Sequence, residues 1–383
     1  MAVNKVSGVS WVSVSKFAGV GTAAISKIDG DDAALAQTTW GVTGQDGATG
    51  YAMSINIAGN ENWTGYRDPN STTDCGWIAY GKDGSGNPLW IKGSGDNNRE
   101  MMYSSDITTD GTWNSLNLAN PADKSRIIWG AQEETWVAAG EMSSTTAYSY
   151  HTSSDGTTGW GAVSLSGVTT STTSVRGLAT NGTGTWIVGQ NAKVYTTNNL
   201  AAGSAGWVLL NDFGDSRDII MAGYSTGRWF ITYRDFKPGG GDGEGVANAL
   251  AADSGSWTDS ADLNLGGAIP AGTKNSAYAT STASADYATV IVVNSNDVSR
   301  STDSGANFTK MLNVLPFGSG RAIATDGEGV WMVGHDDSRV SYSIDDGTTW
   351  STAKDGTQVS NGGWGSGGDS DIDGIAASVF LPL

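Results

Sequence analysis

The sequence predicts an all-β fold of repeated four-stranded units, a β-propeller, and three observations carry that expectation. Aromatic residues that close Gly- and Asp-containing turns recur at 113, 160, 207, 257, 308 and 350, separated by 47, 47, 50, 51 and 42 residues. That is the period of a propeller blade. Of 383 residues, 55 are Gly, 16 are Trp and only 7 are Pro, which suits short strands joined by tight turns. Finally, Asp373-Gly-Ile-Ala-Ala-Ser378 repeats the opening strand of a unit with no Trp strand after it.

Taken in order, the chain opens on a short repeat: Lys5-Val-Ser-Gly8, Lys16-Phe-Ala-Gly19 and Lys27-Ile-Asp-Gly30 recur at 11-residue intervals. Alternating segments at 9–15 and 23–26 lie between them and predict short strands between Gly turns. Residues 1–50 are therefore expected to form a small β-rich extension, and 51–383 the propeller. The clearest unit reads Ala322-Ile-Ala-Thr-Asp-Gly-Glu-Gly-Val-Trp331-Met-Val-Gly334, then Val340-Ser-Tyr342, then Ser343-Ile-Asp-Asp-Gly-Thr-Thr-Trp350. The segment Gly177-Leu-Ala-Thr-Asn-Gly-Thr-Gly-Thr-Trp186-Ile-Val-Gly189 matches its first half almost residue for residue. Weaker copies place a Trp strand at Gly76–Gly81, Thr135–Gly140 and Gly227–Thr232, and Val290–Val293 in its stead in a further one.

These copies predict six four-stranded blades, with a seventh possible because residues 40–70 fit either a shared blade or a divergent one. The leftover strand after residue 372 is expected to close the ring, since an open ring leaves two free sheet edges.

Composition narrows the function. With 21 Lys and Arg against 39 Asp and Glu, the formal charge is −18, which repels nucleic acid and argues against such a partner. The single Cys75 excludes an internal disulfide framework and a Cys-ligated zinc site. No 18-residue apolar run occurs, which gives no expectation of membrane insertion, and the N-terminus lacks the apolar run of a signal peptide.

The turn Ser343-x-Asp345-x-Gly347-x-Thr349-Trp350 pairs carboxylates with an indole. Its spacing favours structure over chemistry: Gly admits positive φ, Ser and Asp accept bonds from turn N–H groups, and the indole packs beneath. The pattern resembles the Asp box, or BNR repeat, of sialidase-like propellers. The copy Ser301-x-Asp303-x-Gly305 keeps it with Phe308 in place of Trp. The resemblance implies a rim position between third and fourth strands, away from any catalytic face, so Asp155, Asp303, Asp345 and Asp346 are expected to be structural. It also raises a sialidase or other glycoside hydrolase as an alternative. That alternative lacks the Arg-Ile-Pro motif, and Arg67, Arg217, Arg228 and Arg321 give no convergent set from sequence alone.

No catalytic residue and no cofactor is therefore expected. His151 and His335 are expected at the surface or in loops, because no nucleophile elbow accompanies them. Asp369-x-Asp371-x-Asp373-Gly374 opens like a calcium loop, but position twelve is Phe380 rather than Glu, so it is a weak candidate beside a solvated acidic linker. Trp63, Trp90 and Trp364 fall outside the blade skeleton and are candidate sugar platforms for a host glycan. The loops 90–100 and 236–247 are candidate contact elements.

The Lys-Φ-x-Gly runs and Ile25-Ser-Lys-Ile-Asp-Gly30 resemble N-terminal segments of structural proteins of tailed bacteriophages. The resemblance implies a virion protein without enzymatic activity, in a tail, neck or head decoration, docked to other virion proteins through residues 1–50.

Overall fold

The structure is a computed structural model. It describes residues 16–17, 20–21, 38–44, 50–54, 64–67, 75–94, 101–107, 113–116, 123–141, 150–163, 175–214, 217–235, 243–250, 256–262, 288–294, 296–318, 320–327, 329–336, 339–354 and 372–378. Among them there is no α-helix; a 3-10 segment lies at Leu200–Gly206, and most of the rest is antiparallel strands and turns. Among the described residues no helix is long and apolar enough to cross a membrane.

Among the described residues seven sheets follow one another along the chain, beside a small ribbon in which Lys16–Phe17 pairs with Val20–Gly21. Sheet one is ordered Ile372–Ala377, Trp40–Gly44, Gly50–Ser54, Thr64–Arg67. Sheet two comprises Cys75–Lys82, Pro88–Ser94, Met101–Ser104 and Asn114–Leu116; sheet three Asp123–Gly130, Thr135–Glu141, Tyr150–Ser153 and Gly161–Val163. Sheet four comprises Val175–Thr180, Trp186–Gln190, Lys193–Thr197 and Val208–Asp212; sheet five Arg217–Ser225, Arg228–Asp235, Gly243–Leu250 and Thr258–Asp262. Sheet six shows Val290–Asn294, Asp297–Ser301 and Thr309–Met311, and sheet seven Gly320–Thr325, Trp331–His335, Val340–Ser343 and Ser351–Lys354.

The repeat in the sequence maps onto this order. Trp113, Trp160, Trp207, Trp257 and Trp350 each immediately precede a fourth strand, Phe308 precedes the last described strand of sheet six, and Trp63 precedes Thr64–Arg67 in the same way. A corresponding indole enters the second strand of six sheets: Trp40, Trp90, Trp136, Trp186, Trp229 and Trp331 are all buried. Each large apolar body is withdrawn from water between neighbouring sheets, which supplies the main cohesive force of the repeat. Trp136 Nε1 donates to Lys82 O at 2.7 Å and Trp186 Nε1 to Glu133 Oε1 at 3.0 Å, each reaching the first hairpin of the preceding sheet. Replacing Trp136 with Phe keeps most of the packing and loses that bond. The expected cost is about 1–2 kcal/mol, read by chemical denaturation.

Two expectations are corrected here. Gly76–Gly81 is a first strand, not a Trp strand; the second strand of that sheet carries Trp90, which is 3% exposed and no sugar platform. The propeller region also begins before residue 51, because Trp40–Gly44 pairs on one side with Gly50–Ser54 and on the other with Ile372–Ala377. Of residues 1–37, only Lys16–Phe17 and Val20–Gly21 lie within the described residues; segments 9–15 and 23–26 lie outside them.

Candidate functional site

Antiparallel four-stranded sheets have two unlike ends. Hairpins between strands one and two and turns between strands three and four open at one end. Connections between strands two and three, and crossings to the next sheet, open at the other. The predicted turn residues occupy the first end.

In the turn at 343–350, Gly347 N donates to Ser343 Oγ at 2.9 Å, and Ser343 Oγ donates to Asp345 Oδ1 at 2.8 Å. Thr349 N donates to Asp345 Oδ1 at 2.8 Å and Thr349 Oγ1 to Oδ2 at 2.6 Å, while Trp350 Nε1 donates to Gly347 O. The turn at 301–308 repeats this: Gly305 N reaches Ser301 Oγ, and Asn307 supplies both bonds to Asp303. In the turn at 153–160, Ser153, Asp155, Gly156, Thr158 and Trp160 do the same. Both carboxylate oxygens of each aspartate are thus accepting local bonds.

Partial burial pushes the Asp345 carboxyl upward, but the bonds from Thr349 and Ser343 outweigh it and hold it below its ordinary value; Asp303 and Asp155 behave alike. A folded-state depression gives stability that is present above the unfolded value and lost as pH falls through the folded one. Asp345→Asn is therefore expected to be less stable than the parent at pH 7, with the gap narrowing below about pH 4, as urea titrations at pH 7 and 3 would read.

Asp346 has a different task from Asp345. Its Oδ1 accepts from Trp331 Nε1 at 3.1 Å, and its Oδ2 from Thr289 Oγ1 at 2.6 Å. Arg300 Nε donates to its backbone oxygen at 2.7 Å. Thr289 and Arg300 belong to sheet six, so this residue staples two sheets together. Gly347 also needs to be Gly: its φ is +79°, and a Cβ there would lie 2.1 Å from Ile291 Cδ1 of sheet six. At Gly305 φ is +82°, but the nearest atom to an added Cβ would be Phe230 Cδ1 at 3.6 Å. Gly305→Ala is expected to cost about 1 kcal/mol from φ alone, and Gly347→Ala about 2 kcal/mol with overpacking added. Ile291→Val should recover part of the second loss and none of the first.

The crossing end carries a second set of charged groups. All six described first strands have a register shift near their start, at Cys75/Trp77, Lys124/Arg126, Val175/Gly177, Ile219/Met221, Gly320/Ala322 and Ile372/Gly374. Such bulges turn a side chain out of the regular alternation. At two of them the shift falls on Arg321 and Asp373, each 8% exposed at the side chain. Arg321 Nε donates to Asp373 Oδ1 and Nη1 to Asp336 Oδ1, both at 2.9 Å.

Beside them His335 is fully buried, with Nδ1 3.1 Å from Gly318 O and Nε2 2.7 Å from Ser341 Oγ. A carbonyl only accepts, so Nδ1 carries the proton and Nε2 accepts from the serine. Phe317 meets this ring edge-on, and the Arg339 guanidinium lies 5.2 Å from the Phe317 centroid. The Arg126 guanidinium lies 4.2 Å from the Trp77 centroid, and its Nη2 donates to Met221 Sδ. That side chain reaches from sheet three to residues of sheets two and five.

Several expectations change in consequence. His335 is a core residue; the side chain of His151 lies outside the described residues. Asp373 is bound to a guanidinium, which leaves it poorly suited to a cation, and Asp369 and Asp371 lie outside the described residues, as do Trp63, Trp364 and the N-terminal repeat at 5–8 and 27–30. Among the described residues no group of three or more His, Cys, Asp or Glu could hold a metal ion. The proposed contact loops are shorter than expected, because strands run to Ser94 and resume at Gly243, leaving 95–100 and 236–242. Both loops connect second and third strands at the crossing end. Of the candidate arginines, Arg321 is paired as described and Arg228 bonds Asn248 at the turn end.

Comparison with known proteins identifies the class: the solved structures it resembles are β-propellers, and the chain has that fold. It is similar to YCF48 bound to D1 peptide (TM-score 0.50, 13% identity, covering 76% of this chain and 90% of that one). YCF48 from Cyanidioschyzon merolae gives 0.51 and 16%, covering 77% and 88%. The GH74 xyloglucanase from Xanthomonas campestris gives 0.55 and 11%, covering 82% of this chain but about half (52%) of that one. No family model and no curated protein matches the chain.

Proposed function

We propose that the chain is a non-enzymatic binding propeller of seven blades, closed by Ile372–Ala377, whose three ordered turns are Asp boxes, and that it serves as a structural or attachment component of a tailed-phage particle. The observation that carries the binding reading is the use of its charged groups. Asp155, Asp303 and Asp345 close turns, Asp346 joins two sheets, Arg321 is held between Asp336 and Asp373, and His335 is buried. Such commitments favour a rigid scaffold over proton transfer, which needs a carboxyl or imidazole poised at a reacting atom.

Partner contact falls to the crossing end, where loops 95–100 and 236–242 emerge and the second–third connections of all blades gather. A propeller of this fold holding a peptide, as in the YCF48 structure, is a precedent for contact of that kind. The phage setting rests on the Lys-Φ-x-Gly repeat, which lies ahead of Trp40 and leaves residues 1–37 as the docking segment.

The test is quantitative mass spectrometry of purified particles carrying the full chain or a deletion of residues 1–31. Incorporation of the full chain at a fixed copy number, and its loss on deletion, supports the reading; absence of the full chain from particles overturns it. Release of reducing sugar from xyloglucan or sialylated glycans by the purified protein would replace it with the hydrolase reading, and glycan-array binding without release would replace it with the lectin-like one.

A further inference from the structure

Sheet one is composite. Three of its strands come from residues 40–67 and the first from Ile372–Ala377, so this sheet forms only when a distant segment is delivered into a slot. The slot has a defined lining. Ile375 pairs with Val42 and Ala377 with Trp40, and beyond the strand Ser378 N donates to Thr39 O at 2.8 Å while Thr39 N donates to Ser378 Oγ at 2.7 Å. On the side of sheet seven, Ile372 and Ile375 pack over Gly334, where an added Cβ would stand 2.3 Å from Ile372 Cγ2. Arg321 of that sheet then clasps Asp373.

All of these contacts lie within residues 372–378 and the slot, and none depends on which chain supplies the strand. The connection does: residues 355–371 make 17 between the strands Ser351–Lys354 and Ile372–Ala377, whereas the crossings at 68–74, 117–122, 164–174, 213–216 and 312–319 take four to eleven, and only the stretch 263–289 ahead of the first described strand of sheet six is longer. Seventeen residues reach as far as about 60 Å when extended, enough to leave the parent molecule.

We propose that residues 372–378 form an exchangeable closing strand, and that the slot between Trp40–Gly44 and sheet seven accepts this strand from a second copy of the chain. Exchange then produces closed, reciprocal dimers in which every contact of the single chain is kept. The inference concerns self-assembly and stands apart from the phage setting.

The test uses full-length chains with Cys75 replaced by Ala. One population carries Thr39→Cys and the other Ser378→Cys; they are mixed, unfolded in urea, refolded at rising concentration and oxidised. The expected result is a species of doubled mass whose 39–378 disulfide joins the two populations, its yield growing with protein concentration. Monomers alone, or only 39–39 and 378–378 links, overturn the proposal.

A single chain carrying both cysteines should close internally at low concentration. If it does so while the mixture gives no 39–378 link, closure stands and exchange fails. A second pair guards against perturbation by the thiols: Arg321→Asp chains and Asp373→Arg chains each set like charges at the slot when alone. Mixed, reciprocal exchange restores an opposite-charge pair in both slots, so heterodimers of doubled mass are expected from the mixture and from neither chain by itself. Monomers in the mixture count against exchange.

Discussion

Arg321→Ala is expected to destabilise the folded chain by about 3–5 kcal/mol, more than any other single truncation at the crossing end. The guanidinium bonds Asp336 and Asp373 at 2.9 Å each, and the two carboxylates differ in what they retain without it. Asp336 is 30% exposed at the side chain and keeps water; Asp373 is 8% exposed and has far less water to replace the lost bond. Breaking one arm of a buried ion pair costs far more than losing a neutral bond. The reverse change, Asp373→Asn, leaves Arg321 with Asp336 and a neutral acceptor beside it, and should cost about 1–2 kcal/mol. Replacing both partners together, as Arg321→Met with Asp373→Leu, removes the desolvated charges and should return stability close to the parent. Urea denaturation of the three variants at pH 7 reads the order, and an Arg321→Ala cost no larger than that of Asp373→Asn would refute the clasp.

The repeat was legible because it is written in residues whose geometry is local. Ser or Thr ends the strand that leads into most of these turns, and Ser104, Ser153, Thr197, Ser301 and Ser343 are all buried there. A hydroxyl, an Asp or Asn, a Gly with positive φ and an aromatic within eight residues need no distant partner to form a turn. The same spacing places Trp63, 50 residues before Trp113, directly ahead of Thr64–Arg67, a signal outweighed because Ala58 and Asn60 stand where the clear copies carry Asp and Gly. Gly76–Gly81 misled for a related reason: Trp77 followed by Ile-Ala mimics a Trp strand, yet its indole donates to Ile127 O of the next sheet from a first strand.

The crossing end was much less legible, because its contacts join residues far apart in sequence. Arg321 and Asp373 are separated by 52 positions, and Arg126 and Met221 by 95. Alternate aspartates before Gly374 read as cation ligands only while the guanidinium is unknown. A lone His gives no sign of burial, and that of His335 follows from its place at the end of a second strand, beneath Phe317.

That burial yields the second large effect. Desolvation lowers the His335 imidazole to about 4, against smaller upward contributions from the Gly318 carbonyl bond and Asp336; Arg339 adds to the lowering. The unfolded chain takes up a proton near pH 6.5, so between there and pH 4 the unfolded state binds more protons than the folded one. Stability therefore falls as pH drops through this window, by about 3 kcal/mol in all. The slope belongs to His335 and precedes the loss from the turn aspartates, which begins only below their unfolded value near pH 4. His335→Gln removes the titration while keeping a donor and an acceptor. Its urea midpoint should be lower than the parent's at pH 7 and vary much less from pH 7 to 4.5. A parent curve equally flat over that range would mean that the imidazole is reached by water and is not the sealed group its contacts with Gly318 and Ser341 describe.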